Sequence, residues 1–171
     1  KNIFDGKELS QWDWAVNCLK RDKDSRQAII HYNTPDHQTK NNKDFVCTLY
    51  NQFFIREDRL FLQYFMRSQD VIRGITFDFP WGWTLLKTMQ LSLLDVYPNL
   101  KIGSYIHTCG SFHLYNEHYS LVRDFLEEKT TGDKMPDINI DLIDNPDLHR
   151  IYNKKEPVQK DEFLKFLKNN Y

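Results

Sequence analysis

The sequence predicts an α+β fold in which helices pack against a mostly mixed β-sheet. Segments with the apolar spacing of helices are interspersed with short runs of β-branched and aromatic residues. Their order lacks the regular strand–helix–strand repeat of a parallel α/β sheet. The 171 residues are 40% hydrophobic and 15% aromatic, which suffices for one core, so we interpret residues 1–171 as a single domain.

The first part of the chain predicts one helix, one strand and one loop. The helix covers residues 8–20, and its apolar face consists of Leu9, Trp12, Ala15, Val16 and Leu19. After a polar break at 22–25, the apolar run 28–32 predicts a short strand. The stretch 33–44 is polar and contains a proline, so we expect a surface loop there.

A β-hairpin is predicted next. Residues 46–55 and 60–66 are both rich in β-branched and aromatic side chains, and the charged stretch 56–59 separates them. Two such runs joined by a short polar turn are typical of antiparallel neighbours in a sheet.

Strands and helices continue in the second half of the chain. After Gly74 and Pro80 the apolar spacing predicts a helix over residues 81–95. The remaining predicted elements are a strand at 102–107, a helix at 114–127, a strand at 138–142 and a basic helix near 160–169.

Composition and charge argue against several classes of function. The formal net charge is −1, which gives no bulk attraction to nucleic acids or acidic membranes. No run approaches the roughly 18 apolar residues of a transmembrane helix, and the N-terminus lacks an apolar signal-peptide core. Cys18, Cys47 and Cys109 show neither a C-x-x-C pair nor metal-ligand spacing, so we expect a reducing compartment and no metal site.

Three segments in order carry reactive or ligand-binding side chains. They are Lys43–Thr48 with Cys47, Met66–Val71 with Arg67, Ser68 and Asp70, and His107–Tyr115 with His113 and Tyr115. A thiolate attacks electrophilic carbon, an arginine beside a serine binds phosphate, and a histidine–tyrosine pair holds a sugar hydroxyl. Together these groups predict covalent catalysis on a nucleotide.

From about Trp12 to Glu127, the order and spacing of these segments resemble the thymidylate synthase family, which includes the phage-type deoxycytidylate hydroxymethylases. The matching pieces are Asp24-Ser25-Arg26, Phe45-Val46-Cys47-Thr48, Met66-Arg67-Ser68-Gln69-Asp70-Val71, Gly74 and Gly110-Ser111-Phe112-His113-Leu114-Tyr115-Asn116-Glu117-His118. The resemblance implies the family fold, a homodimer, and one-carbon transfer from 5,10-methylenetetrahydrofolate to C5 of a pyrimidine nucleotide monophosphate. It also implies a bacterial or phage-infected cytoplasm, and we expect the family's N-terminal region, with its catalytic glutamate, to lie outside this chain.

The resemblance assigns catalysis and phosphate binding to four residues. The Cys47 thiolate adds to C6 of the pyrimidine, which makes C5 nucleophilic. Arg67 supplies the cation that favours the thiolate and, with Ser68, binds the 5′-phosphate. Arg26 corresponds to the arginine that reaches across a two-fold interface to the partner's phosphate, although Gln27 replaces the second arginine of many members.

The resemblance also assigns the residues that bind the sugar and the folate. His113 and Tyr115 hold the 3′-hydroxyl, a task that needs a donor and an acceptor at a fixed separation. Asp70 lies on the folate side as an acceptor for the pterin and counts among the catalytic residues. Gly74 allows the folate a close approach.

Asp78 is the position that discriminates between two bases. In the family, enzymes that use dUMP carry asparagine eleven residues after the phosphate-binding arginine, whereas deoxycytidylate hydroxymethylases carry aspartate. A carboxylate accepts a hydrogen bond from the cytosine amino group and repels uracil O4. The other interpretation is that Asp78 is a helix N-cap before Pro80.

The sequence therefore favours a dCMP 5-hydroxymethylase over a thymidylate synthase that methylates dUMP. A non-catalytic homologue that binds a nucleotide or a protein remains the second alternative. Nucleic-acid binding through the tail is disfavoured, because its lysines alternate with acidic residues as on a solvated helix.

Overall fold

The computed structural model describes residues 2–4 and 7–128. The chain forms two units, Lys1–Asp124 and Phe125–Tyr171, and the sheet described below belongs to the first. The predicted strand at 138–142 and the predicted helix near 160–169 lie outside the described residues. The interpretation as a single domain stays a prediction.

The described residues form eight strands and three α-helices. In chain order these are β1 Asn2–Phe4, β2 Lys7–Leu9, α1 Gln11–Arg21, β3 Ile29–His31, β4 Thr48–Arg56, β5 Arg59–Met66, β6 Gln69–Asp70, α2 Arg73–Leu93, β7 Lys101–Cys109, β8 Phe112–His113 and α3 Tyr119–Glu128. Short 3₁₀ turns occur at Pro35–His37 and Asn116–His118.

The central sheet has the strand order β3-β4-β5-β7. Strands β3, β4 and β5 are antiparallel neighbours, whereas β7 pairs with β5 in parallel. Beyond the end of this parallel pair, β6 and β8 pair in parallel as well. The prediction of an α+β fold with a mixed sheet is therefore confirmed.

The predicted hairpin is formed by β4 and β5. Arg56 pairs with Arg59, so the connection is a two-residue turn made of Glu57 and Asp58. Both residues have positive φ values, 49° and 55°, as a type I′ turn requires. The turn matches the right-handed twist of the strands, but it places a glutamate in a backbone region that favours glycine and asparagine.

The core lies on the face of the sheet that α1 and α2 cover. Burial alternates along β5, as expected for a strand with one face on the core. The core side chains from β4 and β5 include Phe53, Ile55, Leu60, Leu62 and Tyr64, and those from the helices include Ala15, Leu19, Leu86, Met89 and Leu93. Burying these side chains is the main stabilising contribution to the sheet–helix arrangement.

Helix α1 starts three residues later than predicted. Ser10 Oγ accepts the Asp13 N–H at 3.1 Å, and the Asp13 carboxylate accepts the Ser10 N–H at 3.2 Å. This capping box fixes the helix start and leaves Lys7–Leu9 free to form strand β2.

Helix α2 starts eight residues earlier than predicted and includes Pro80 within it. Asp70 Oδ1 accepts the N–H groups of Ile72 and Arg73, each at 2.6 Å, which satisfies donors that the helix start would leave unpaired. Proline removes one hydrogen bond from a helix but does not end it where packing holds both sides. The predicted start at residue 81 was wrong because it took no account of this cap or of tertiary packing.

The start of helix α2 also affects the pKa of the Asp70 carboxyl group. Burial raises its pKa, but the N–H groups of Arg73, Ile72 and Gly74 act against burial and leave the pKa below its usual value. Asp70 is therefore ionised at neutral pH and favoured by the positive end of the helix dipole.

The short strands β1, β6 and β8 were not predicted, whereas the strand and the helix predicted after α2 agree with the structure in type and differ at their ends. The strand predicted at 102–107 extends over Lys101–Cys109, and the helix predicted at 114–127 is preceded by a 3₁₀ turn. Within the described residues, no helix is long and apolar enough to cross a membrane.

Replacing Glu57 with asparagine is expected to stabilise the hairpin. Asparagine tolerates positive φ better than glutamate does, so Glu57→Asn should raise the free energy of unfolding by about 0.5–1 kcal/mol. Urea denaturation of the variant and the unchanged protein measures the difference. Glu57→Gln removes the same charge without favouring positive φ, and an equal gain in that control would refute the conformational explanation.

Removing the charge of Asp70 is expected to weaken the start of α2. Asp70→Asn should lower the free energy of unfolding at pH 7 by about 1 kcal/mol, a typical capping contribution. Because the pKa of Asp70 is lowered on folding, its contribution is complete above the unfolded-state pKa and lost as the pH falls through the folded-state value. Unfolding curves from pH 7 to pH 3 should therefore converge for the two proteins. The exposed Asp44→Asn is the control, and curves that stay parallel in acid would contradict the assignment.

Candidate active site

Several of the predicted site residues lie at or just beyond the ends of three adjacent strands, at one edge of the sheet. Met66 pairs with Thr48 on one side and with Cys109 on the other. Cys47 directly precedes the first of these partners, and Arg67 directly follows Met66. Segments that lie far apart in the sequence are thus brought side by side by strand register alone.

Arg67 fixes the backbone that leads into Cys47. Its main-chain N–H donates to the Cys47 carbonyl at 2.8 Å, while Nε donates to the Val46 carbonyl at 2.9 Å and Nη2 to the Phe45 carbonyl at 2.6 Å. The guanidinium carbon also lies 5.1 Å from the centroid of the Phe45 ring, at cation–π distance. The result is an exposed thiol on a loop held by a cation.

Ser68 and His113 lie next to each other because β6 and β8 are paired. Ser68 Oγ is 3.4 Å from His113 Nδ1, and both side chains are half-buried. The rings of His113 and Tyr115 are nearly perpendicular with centroids 5.0 Å apart, and Tyr115 is more than half exposed. The edge therefore offers a hydroxyl, an imidazole and a phenol beside the Arg67 segment.

Asp70 and Gly74 lie at the start of α2. Asp70 Oδ1 is engaged by the helix cap, whereas Oδ2 is buried and accepts no hydrogen bond within the described residues. A Cβ at Gly74 would lie 2.5 Å from Gln69 Nε2, so this glycine makes room for the glutamine side chain. The folate-binding roles of Asp70 and Gly74 stay predictions.

Asp78 lies inside α2, five residues after the helix begins at Arg73. The N-cap interpretation of Asp78 is therefore wrong, since its position leaves no helix start for it to cap. Its Oδ2 accepts a hydrogen bond from Gln69 Nε2 at 2.8 Å. The Asp78 carboxylate is thus in contact with the segment that follows Arg67.

Two further residues extend this contact. His107 Nε2 lies 3.0 Å from Gln69 Oε1, and His107 Nδ1 lies 2.6 Å from the Tyr105 hydroxyl. Sequence reasoning assigned His107 no role and did not single out Gln69 or Tyr105. The one signal in the sequence was the spacing of Tyr105 and His107, two residues apart on a strand and hence on the same face.

Arg26 lies elsewhere in the first unit. It lines a cavity of about 640 Å³ together with Arg21, Asp22, Asp24, Ser25, Gln27 and Arg56. This lining contains none of the other predicted site residues. Contact of Arg26 with a phosphate across a two-fold interface stays a prediction.

Comparison with known proteins adds independent information. The family model described as thymidylate synthase matches residues 2–158. The deoxycytidylate 5-hydroxymethyltransferases of Enterobacteria phages T4, T2 and T6 are each 33% identical to this chain over 126 residues, which cover 70% of this chain and 51% of each relative. The chain thus spans about half the length of the curated relatives it matches.

A solved structure shows the same fold. Thermostable thymidylate synthase A from Bacillus subtilis matches with a TM-score of 0.63 and 23% identity, over 74% of this chain and 43% of that one. The two comparisons are consistent, since the sequence match and the structural match each cover more than two-thirds of the chain. The family model covers most of the chain and shows that this chain belongs to the thymidylate synthase family.

Proposed function

We propose that the protein transfers a one-carbon unit from 5,10-methylenetetrahydrofolate to C5 of dCMP, as a deoxycytidylate 5-hydroxymethylase. The observation that carries the proposal is the meeting of Cys47, Arg67, Ser68 and His113 at one edge of the sheet. These groups match the needs of a reaction that binds a nucleotide by its phosphate and attacks its base with a thiolate.

The phosphate and sugar are held by the residues around β6 and β8. Arg67 uses Nε and Nη2 on the main chain of the thiol loop, and the rest of its guanidinium supplies charge and N–H donors for the 5′-phosphate. Ser68 adds a hydroxyl donor. His113 and Tyr115, whose rings are in contact, bind the 3′-hydroxyl of the sugar.

The chemistry begins with addition of the Cys47 thiolate to C6 of the pyrimidine. The electron pair of the C5–C6 double bond is displaced towards C5 and the ring, and C5 attacks the methylene carbon of the folate. Cleavage of the carbon–nitrogen bond to the folate and loss of the C5 proton leave an exocyclic methylene group. Water adds to that carbon, the thiolate leaves C6, and tetrahydrofolate is released without oxidation.

Asp78 determines the choice of base. Its carboxylate can accept a hydrogen bond from the amino group of cytosine, whereas uracil presents O4 at the same place and is repelled. The position of Asp78 within α2, away from the helix start, supports a role in recognition rather than in capping. The phage relatives are named as deoxycytidylate 5-hydroxymethyltransferases, which supports cytosine as the base.

Thymidylate synthesis from dUMP is the alternative within the same chemistry. There the folate delivers a hydride to the exocyclic methylene group, and the outcome depends on how well the closed site excludes water. A non-catalytic homologue that binds a nucleotide or a protein is the second alternative. For the active enzyme we propose a homodimer in the cytoplasm, with Arg26 of one subunit serving the phosphate of the other.

Replacing the nucleophile is expected to abolish the reaction. Cys47→Ser in the full-length protein should reduce tritium release from C5-labelled dCMP, in the presence of methylenetetrahydrofolate, by more than about 10³-fold. Cys109→Ser is the matched control, because the Cys109 thiol donates to the Ser111 carbonyl at 3.1 Å and a hydroxyl can do the same. Equal losses of tritium release in the two variants would contradict the covalent mechanism. So would a Cys47→Ser variant that releases tritium as fast as the unchanged protein.

Replacing Asp78 with asparagine is expected to move the preference from cytosine to uracil. An amide can donate to uracil O4, so Asp78→Asn should lower the ratio of kcat/KM for dCMP to kcat/KM for dUMP by about a hundredfold. Tritium release from each labelled nucleotide measures the base preference. Formation of dihydrofolate, followed in parallel, distinguishes a methylated product from a hydroxymethylated one. Asp95→Asn, which removes a carboxylate paired with Lys20, serves as control. A wild-type preference for dUMP with dihydrofolate formed would identify a thymidylate synthase instead.

A further inference from the structure

A continuous line of side chains connects the sheet to Asp78. The Tyr105 hydroxyl is 2.6 Å from His107 Nδ1, His107 Nε2 is 3.0 Å from Gln69 Oε1, and Gln69 Nε2 is 2.8 Å from Asp78 Oδ2. Gln69 is 1% exposed, so its amide has little access to water and depends on His107, Asp78 and a longer contact from Nε2 to the Asp70 carbonyl at 3.4 Å. The line joins strand β7, strand β6 and helix α2.

The direction of every hydrogen bond in this line follows from the carboxylate. Because a carboxylate only accepts, Gln69 must turn its NH₂ towards Asp78 and its carbonyl oxygen towards His107. The carbonyl oxygen in turn requires a proton on His107 Nε2. A neutral imidazole with that proton has an acceptor at Nδ1, so the Tyr105 hydroxyl donates to it at 2.6 Å in preference to the Asp78 main-chain carbonyl at 3.5 Å.

The imidazole is held in the neutral form and in one orientation. Burial lowers the pKa of His107, and the attraction of Asp78 opposes this only in part. The ring is stacked between Tyr64, whose centroid is 5.3 Å away at 12°, and Phe79, at 4.8 Å and 23°. Aromatic contacts on both faces restrict rotation of the ring and so fix which nitrogen faces Gln69.

Two glycines of α2 provide the space that the line occupies. A Cβ at Gly74 would lie 2.5 Å from Gln69 Nε2, and a Cβ at Gly82 would lie 2.4 Å from Tyr105 Cζ. Both contacts are closer than real side chains allow, so a side chain at either helix position would force the Gln69 amide or the Tyr105 phenol to move. Helix α2 thus leaves space for the Gln69 side chain at Gly74 and for the Tyr105 ring at Gly82.

We propose that Tyr105, His107 and Gln69 are positioning residues that orient the Asp78 carboxylate for recognition of cytosine. The hydrogen bond from Gln69 engages Oδ2 and, within the described part of the chain, leaves Oδ1 to accept from the amino group of the base. This inference rests on the proposed function, since it assumes that Asp78 contacts the base. It adds three residues that determine specificity without touching the substrate.

The first test compares two buried glutamines of the full-length protein. Gln69→Leu removes the donor to Asp78 and should lower kcat/KM for dCMP about tenfold, while kcat/KM for dUMP changes less than twofold. Gln90→Leu makes the same chemical change at a glutamine that is 9% exposed and donates to the Leu100 carbonyl at 2.7 Å. This control should leave the ratio of kcat/KM for dCMP to kcat/KM for dUMP unchanged, because it removes no contact with Asp78.

A second variant keeps the shape of the site. His107→Phe retains a flat ring between Tyr64 and Phe79 and removes both ring nitrogens, so it should shift the substrate ratio in the same direction as Gln69→Leu. A loss of folding would instead lower the activity towards both nucleotides equally. If the wild type prefers dCMP and both variants keep that preference, the positioning role is refuted while the proposed function stands.

A third measurement does not depend on activity. Nitrogen-15 NMR of the His107 ring at pH 7 should show the proton on Nε2 and none on Nδ1. A proton on Nδ1, or on both nitrogens, would refute the directed line of hydrogen bonds whatever the substrate turns out to be. A wild type that prefers dUMP would overturn the proposed function, and with it the part of the inference that concerns cytosine.

Discussion

The parallel pairing of β5 with β7 is the constraint on which the candidate site depends. It places the residues after Met66 beside the residues after Cys109, and β6 and β8 continue the pairing. The antiparallel partner β4 brings the Cys47 loop to the same edge. Because side chains alternate along strands, a slip of one residue in either pairing would move these groups to the opposite face.

The polar groups at this edge are inserted into an aromatic environment. The rings of Tyr64, Phe79 and Tyr105 contact His107, and burial raises the pKa of Tyr64 to about 12. A buried polar chain is favourable only if each member has its partner, since an unpaired buried group costs about 1–3 kcal/mol. The direction imposed by Asp78 satisfies this condition from one end to the other.

Much of the fold could be predicted because its signals are local. The hairpin, helix α1 and the mixed sheet follow from apolar periodicity and from a short charged turn. The start of α2 could not be predicted this way, because its cap at Asp70 and the packing of Gly82 against Tyr105 override the local signals of Gly74 and Pro80. Tertiary contacts commonly override propensity in this manner.

The candidate site was predicted in a different way from the fold. Cys47, Arg67 and His113 were singled out by their side-chain chemistry, and their roles were assigned by a family resemblance. Strand register brings their segments together. Gln69 and His107 were missed, because their hydrogen bond joins residues 38 apart in sequence and no spacing rule anticipates it. Side-chain networks of this kind depend on three-dimensional packing, which a single sequence does not display.

The two glycines of α2 have a consequence for how this sequence can diverge. Gly82 leaves room for the phenol of Tyr105, and Gly74 leaves room for the amide of Gln69. A larger residue at either helix position would displace the end of the facing side chain and with it the hydrogen bonds that this side chain makes. The effects of substitutions within each pair are therefore expected to be coupled, because each glycine protects the hydrogen bonds of its strand partner.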